Sequence, residues 1–131
     1  MTQLFLLFSH KLTSDQIYDA KETLKVDNYS YLPESLQLKW SNVDPAGNLD
    51  TQALNEIGKW LQKEGSKGDL VLIQGDFGAT FYMVDLCLKK GFVPIYATTK
   101  RVSEEKQNAE GIVERKQLFK HVGFRRYELY R

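Results

Sequence analysis

Three short segments of the sequence carry side chains that could bind a phosphate group and move a proton beside it. Ser9 and His10 lie near the start, residues 74–80 (QGDFGAT) near the middle, and residues 98–101 (TTKR) later in the chain. Arginine binds phosphate as a fork and lysine as a point charge, while histidine titrates near neutral pH and suits proton transfer. These residue types predict an anion site. The alternative for residues 98–101 is an exposed turn.

The segment at residues 74–80 follows a short aliphatic run and has the composition of a strand-to-helix turn. Gly75 and Gly78 would let the backbone approach a ligand, and a helix starting near Gly78 would offer free N–H groups to an anion. The segment lacks the third glycine of a dinucleotide motif and the Lys-Ser/Thr ending of a P-loop. Alternatively, Asp76 simply caps the helix. The predicted ligand-binding residues here are Gln74, Gly75, Asp76, Phe77, Gly78, Ala79 and Thr80.

The elements that must position these segments alternate along the chain. Apolar or aromatic runs predict strands at residues 3–8, 29–32, 70–73 and 92–97. Helices are predicted after Thr13, from Pro33 to Trp40, from Asp50 or Thr51 to Gly65, and over residues 78–89. This order indicates one α/β domain of residues 1–131, with a Rossmann-like, mostly parallel sheet and helices on both faces. In such sheets ligands bind beyond the carboxyl ends of the strands, which all three segments follow.

Two regions of the predicted sheet allow more than one arrangement. Pro94 disfavours a central, fully paired position for the strand at residues 92–97. Residues 112–130 fit one long bent strand or a hairpin with Gly123 as a bulge, or else a helix over residues 113–121 followed by a strand. We favour the extended form, a C-terminal β-strand or hairpin extension of the sheet.

The helix predicted near residues 77–88 is apolar on two sides. Its two stripes are Phe77, Phe81, Val84 and Leu88, and Ala79, Met83, Leu86 and Cys87. One stripe should meet the sheet and the other a second subunit. We therefore expect a homodimer with its two-fold axis near this helix.

Composition and charge argue against several classes of protein. The N-terminal apolar run is too short for a signal peptide or a membrane span, and a single cysteine, Cys87, forms no internal disulfide, so we expect a cytoplasmic protein. The net charge of +1 argues against binding to long nucleic acid, yet residues 98–131 hold nine Lys/Arg against five Glu. Two distant histidines and one cysteine predict no metal site, and we expect no cofactor.

Five longer segments resemble a known family. They are LFLLFSHKLT (residues 4–13), YLPESLQLKWSNV (31–43), GDLVLIQGDFGATFYMV (68–84), PIYATTKR (94–101) and FKHVGFRRYE (119–128). In this order, and nearly end to end, they resemble small accessory proteins encoded beside type III CRISPR systems. That family is grouped with the stand-alone ring nucleases, relatives of the CRISPR-associated Rossmann-like sensor domains. The resemblance implies binding and metal-independent linear cleavage of cyclic oligoadenylate, with cyclic tetra-adenylate as the expected ring, across a dimer axis.

The implied chemistry is attack of a ribose 2′-hydroxyl on the adjacent phosphorus, which leaves a 2′,3′-cyclic phosphate and a 5′-hydroxyl. On this hypothesis Lys100 and Arg101 stabilise phosphoryl charge, and Ser9 and His10 position the ribose or move a proton. Residues 74–80, with Thr98 and Thr99, would hold a neighbouring phosphate. Two further residues are assigned to an adenine base, Trp40 by stacking and Asn42 by hydrogen bonding, although Trp40 fits a core position equally well.

Two alternatives to ring cleavage remain open at this point. A binding-only sensor would sequester the ring without cutting it. An N-acetyltransferase is suggested by LFKHVGFRRYELY, which resembles the end of that fold. The sequence lacks that fold's glycine-rich pyrophosphate loop, and its alternating order of elements differs, so ring cleavage is preferred.

Overall fold

The computed structural model describes residues 2–131, which form five strands and four helices. In chain order these are β1 (Thr2–Leu7), α1 (Ser14–Thr23), β2 (Val26–Tyr31), α2 (Glu34–Ser41), α3 (Thr51–Glu64), β3 (Leu70–Ile73), α4 (Phe77–Lys90), β4 (Val93–Gln107) and β5 (Val113–Arg126).

The strands make one sheet in the order β2-β1-β3-β4-β5. The first three pairings are parallel and the last, β4 with β5, is antiparallel. Helix α1 packs on one face of the sheet, while α2, α3 and α4 pack on the other. The protein therefore has the predicted Rossmann-like α/β fold, with a mostly parallel sheet covered on both faces.

The core lies in two layers because β1 and β3 are buried on both sides. Phe5 and Val71 face α3 and α4, whereas the alternate residues Leu6 and Leu72 face α1. Period-2 alternation in a strand explains why continuous aliphatic runs mark these central strands in the sequence.

Capping side chains set the starts of three helices. Thr13 and Gln16 form a capping box at α1, with Gln16 N donating to Thr13 Oγ1 at 3.2 Å and Thr13 N to Gln16 Oε1 at 3.0 Å. Asp50 caps α3 and Asp76 caps α4. Pro33 is the residue before α2 rather than its predicted first residue. Gly91 ends α4 in the left-handed conformation, φ +86°, which glycine adopts without steric cost.

The prediction that Pro94 keeps its strand from a central position is wrong, since β4 lies between β3 and β5. The N–H and C=O of one strand residue point to the same edge, and the Pro94 carbonyl accepts from Tyr127 N at 3.1 Å, on the β5 side. The last paired residue of β5 is Arg126, opposite Ile95. The missing N–H of Pro94 thus faces a position where the β5 ladder has already ended.

Strand β4 is much longer than the predicted strand at residues 92–97. Its pairing with β3 stops at Ile95, but its pairing with β5 continues to Gln107. Beyond Ile95 the two strands form a two-stranded extension, which we call the ribbon (residues 96–107 and 113–125). The extended form of residues 112–130 is confirmed and a helix at residues 113–121 is wrong. Val122 is the extra residue of a bulge next to Gly123, because Thr98 pairs with Gly123 and Thr99 with His121.

Within residues 2–131, none of the helices has both the length and the apolar character that crossing a bilayer requires.

Candidate functional site

The carboxyl ends of β1 and β3 lie next to each other at one edge of the sheet, because Leu7 pairs with Ile73 in the parallel register. Helix α2 covers these two ends. The hydroxyls of Ser9 and Ser41 are hydrogen-bonded at 3.1 Å, and Gln37 Nε2 donates to Phe8 O at 3.0 Å. Ser9 is exposed in this arrangement and held at the sheet edge by α2. His10 is also exposed, with its ring edge-on to Phe8 at 5.4 Å between centroids.

Trp40 belongs to the core and not to a base-binding surface. Its side chain is 2% exposed, and its Nε1 donates to Gln74 O at 3.2 Å. The ring lies so close to Gly75 that a Cβ there would stand 2.9 Å from Trp40 Cζ2. The prediction that Trp40 stacks on adenine is therefore wrong, since both ring faces are packed. The nearby Asn42 is exposed, but its Nδ2 donates to Leu38 O at 2.8 Å, and the residue lines a separate cavity of about 240 Å³ between α2 and α3.

The turn at residues 74–80 is held by its own hydrogen bonds. Gln74 Oε1 accepts from Ala97 N at 2.7 Å and so ties the end of β3 to β4. Asp76 Oδ2 accepts from Ala79 N at 3.0 Å, which makes the helix cap the correct role for Asp76. Ala79 is buried and its N–H donates to Asp76, so Ala79 offers a ligand no free donor, whereas Asp76 is exposed. Gly75, Phe77 and Gly78 remain exposed at this edge.

Thr80 is partly buried, and its hydroxyl oxygen is a buried polar atom that has no hydrogen-bond partner within the described chain. It lies in the first turn of α4 beside the chain end at residues 127–130, in a cavity of about 360 Å³.

Residues 98–101 are neither a turn nor one cluster, because they continue β4 into the ribbon. Alternate strand residues point to opposite faces. Thr98 and Lys100 lie on the face that α3 and α4 cover within the sheet, and Thr99 and Arg101 lie on the α1 face. Thr98 Oγ1 donates to Gly123 O at 3.1 Å, and Arg101 Cζ stands 5.5 Å from the centroid of Phe119. Lys100 and Arg101, both predicted to stabilise phosphoryl charge, therefore lie on opposite faces of the ribbon and do not form one cluster.

Register gives the distance of Lys100 from the sheet edge. Ala97 is bonded to Gln74, and Lys100 follows three residues later, about 10 Å further along an extended strand. Ser9, Gln74 and Gly75 thus converge under α2, whereas Lys100 projects from the adjoining ribbon.

The structure also contains a buried pair that sequence reasoning did not assign. His121 Nε2 lies 2.8 Å from Asp19 Oδ2, and the His121 side chain is 6% exposed. Its Nδ1 is buried with no hydrogen-bond partner in residues 2–131. The pair joins the base of the ribbon to α1 across 102 sequence positions, so no local spacing could have signalled it.

A groove of about 790 Å³ lies beside this pair, between the first turn of α1 and the ribbon. Thr13, Gln16, Thr99, Phe119 and His121 are among the residues that line it. The groove places Thr99, one of the predicted ligand-binding residues, next to polar and aromatic groups on the α1 face.

Burial also identifies side chains that stay uncharged. Burial raises the pKa of the Cys87 thiol to about 12, and it raises the pKa of Tyr127, with a smaller contribution from Tyr96. Tyr127 donates its hydroxyl to Ile73 O at 2.6 Å and so packs the end of the chain onto β3. Neither residue can supply a nucleophile near neutral pH. Within residues 2–131, no three His, Cys, Asp or Glu side chains cluster as metal ligands would.

Comparison with known proteins assigns the family. Residues 2–125 match the family described as Uncharacterized protein MJ1673 family. The chain belongs to this family. It is 47% identical over 130 residues to Uncharacterized protein MJ1673 of Methanocaldococcus jannaschii, an alignment that covers 99% of this chain and 100% of the relative. No solved structure matches the chain.

Proposed function

We propose that the protein binds a cyclic oligoadenylate, most simply cyclic tetra-adenylate, and cleaves it without a metal ion. Such a reaction would remove a second messenger and switch off type III CRISPR signalling. Support comes from the resemblance of five segments to the CRISPR ring nucleases, and from one observation on the fold. The carboxyl edge of a Rossmann-like sheet carries the exposed Ser9, His10 and Gly75 beside a ribbon that bears Lys100.

For this reaction the protein must align the ribose 2′-oxygen with the phosphorus and stabilise the negative charge on the phosphoryl oxygens. The ribose 2′-oxygen attacks phosphorus, its proton leaves, and the bond to the 5′-oxygen breaks, giving a 2′,3′-cyclic phosphate and a 5′-hydroxyl. Ser9, fixed by Ser41, is placed to orient a ribose hydroxyl, and His10 to accept or return a proton. Lys100 supplies positive charge to the phosphoryl oxygens. Arg101 lies on the opposite face of β4 and would contact a different part of the ligand.

A homodimer suits a ring with repeated units, since a two-fold axis presents the same site twice. The exposed stripe of α4 provides a candidate interface. Phe77 is 94% exposed and Phe81 78% exposed, and both stand at the cavity formed by α4 with Leu129 and Tyr130. In this proposal the ligand is the soluble ring, the protein is cytoplasmic, and neither a membrane nor a long nucleic acid is a partner.

The test is incubation of the purified protein with labelled cyclic tetra-adenylate, followed by chromatography of the products. We expect linear fragments with 2′,3′-cyclic phosphate ends, formed equally well in excess chelator. Activity that vanished with chelator and returned with magnesium or manganese would refute the mechanism. A ring recovered intact but bound would favour the sequestering alternative, and a ring neither bound nor cut would refute the proposal.

A further inference from the structure

Lys100 and Lys120 are direct cross-strand partners in the ribbon. Side chains directly opposite each other in an antiparallel pair have Cβ atoms about 4.5–5.5 Å apart, and like charges in that position destabilise the pair. Both lysines are exposed, so their ammonium groups are accessible from solvent. The ribbon therefore carries a repulsive pair close to the sheet edge.

The other directly paired charged residues of the ribbon are opposite in sign. Glu104 faces Lys116, Glu105 faces Arg115, and Lys106 faces Glu114. Arg115 and Glu105 form an ion pair, with Arg115 Nε 3.0 Å from Glu105 Oε1. These oppositely charged pairs lie in the distal half of the ribbon, whereas the lysine pair lies nearer its base.

Lys100 and Lys120 share one face of the ribbon. Lys100 projects on the face shared with α4, as does Arg125, which pairs with Tyr96 nearer the sheet. Lys120 has the same orientation because directly paired residues point to the same face. The turn that holds the exposed Gly75 and Gly78 is tied to β4 three residues before Lys100, where Ala97 N donates to Gln74 Oε1 at 2.7 Å.

We propose that Lys100 and Lys120 together bind one phosphate of a phosphodiester ligand. A phosphate between the two ammonium groups replaces their repulsion with two charge-assisted hydrogen bonds. Lys120 takes the place that the sequence assigned to Arg101. The identity of the ligand as a cyclic oligoadenylate rests on the proposed function, whereas the anion site itself does not. Ligand binding and ribbon stability are coupled at this pair.

The test compares Lys120→Gln with Lys116→Gln, a matched control on the same strand and face. Removal of Lys120 relieves repulsion, so the melting temperature of the free protein should stay level or rise, while affinity for tetra-adenylate falls about tenfold. The slope of log affinity against log salt should become shallower by about 0.7, the value for one lost contact to a single strand. Lys116→Gln should instead lower the melting temperature slightly and leave affinity unchanged.

Three probes separate this site from the proposed function: cyclic tetra-adenylate, linear tetra-adenylate and inorganic pyrophosphate, each measured by titration calorimetry at low salt. Weaker binding of any of them in Lys120→Gln, with Lys116→Gln unaffected, supports the lysine pair even if the wild-type protein cuts no ring. Ring cleavage and binding that are identical in Lys120→Gln and wild type would overturn the lysine pair and leave the proposed function standing. A wild-type protein that binds none of the three would overturn both.

Discussion

The position of a residue along a strand decides which charges can act together. Lys100 and Arg101 adjoin in sequence, and their spacing suggested a joint phosphate site, but strand geometry sends them to opposite faces of the ribbon. The guanidinium of Arg101 instead lies over Phe119, 5.5 Å from the ring centroid. The residue types show where positive charge lies along the chain. Only the strand register shows which of these cations lie on the same face.

Lys100→Ala should slow single-turnover ring cleavage by about two decades, because one lost donor to developing charge costs about 2–4 kcal/mol. Arg101→Ala should change the rate much less and lower stability by about 0.5–1 kcal/mol, the contribution of an exposed cation–π contact. Lys106→Ala, further along the same strand, is the control for net charge. Equal rate losses in Lys100→Ala and Arg101→Ala would show that both reach one phosphate.

Gly75 and Gly78 should respond in opposite directions to alanine. A Cβ on Gly75 would meet Trp40 Cζ2 at 2.9 Å, so Gly75→Ala must displace a packed ring and should cost about 1–3 kcal/mol. A Cβ on Gly78 meets its nearest atom, Asp76 Oδ2, at 3.5 Å, so Gly78→Ala should stabilise α4 by about 0.5–1 kcal/mol. Urea unfolding of both variants measures this difference. A loss of stability in Gly78→Ala would contradict the open space at that position.

Among the elements, the ribbon depends on its anchor at α1. An isolated two-stranded hairpin is marginally stable in water, and beyond Ile95 the ribbon has no third strand within residues 2–131. Asp19 links the two parts, because its Oδ2 lies 2.8 Å from His121 Nε2 while its Oδ1 accepts from Thr23 Oγ1 at 2.8 Å. The base of the ribbon is therefore fixed while its tip stands free.

Asp19→Ala should destabilise the protein by about 1–3 kcal/mol, because it leaves the buried His121 Nε2 without a partner. It should also loosen the ribbon, so that limited proteolysis cuts within residues 100–120 sooner than in the wild type. Glu22→Ala, at an exposed position of the same helix, should shift stability by no more than about 0.5 kcal/mol. Unchanged proteolysis in Asp19→Ala would mean that the pair does not anchor the ribbon.

The sequence predicts the central elements well and the ribbon poorly, for a physical reason. Buried strands such as residues 70–73 are continuous apolar runs, and capping residues mark the starts of amphipathic helices in the sequence. Residues 99–107 are exposed on both faces and polar except for Val102, so no hydrophobic period marks them as a strand. For the site, loops after strands could be located, but the burial of Trp40, the capping by Asp76 and the pairs of Lys100 and His121 depend on tertiary contacts.

For the molecule as a whole, the exposed stripe of α4 predicts a homodimer. Phe81→Asp places a charge on that stripe and should convert a dimer to a folded monomer, as measured by light scattering with unchanged circular dichroism. Tyr18→Ser alters an exposed aromatic residue of α1, on the other face of the sheet, and should leave the dimer intact. A wild-type monomer at micromolar concentration, with and without cyclic tetra-adenylate, would remove the dimer from the proposal.

Cys87 should report global unfolding. Its thiol is fully buried in α4 and burial raises its pKa to about 12, so a thiol reagent at pH 8 should react only with unfolded chains. Because the folded pKa lies above the ordinary thiol value of 9.0, this group stabilises the fold below pH 9, and that contribution is lost as pH rises from 9 towards 12. Labelling rates that fall with added ligand would measure binding. Rapid labelling without denaturant would contradict the burial of Cys87.

The unpaired edges of the ribbon affect the tendency of the protein to aggregate. Unpaired N–H and C=O groups along an exposed strand invite strands from other chains, and lysine and glutamate side chains oppose this docking. Within residues 100–107 (KRVSEEKQ), six of eight side chains are charged or carboxamide groups, which are the residue types that oppose edge-to-edge pairing of strands. Substituting Glu105 and Lys106 with valine would leave the buried core untouched and yet turn the ribbon into an aggregation-prone segment.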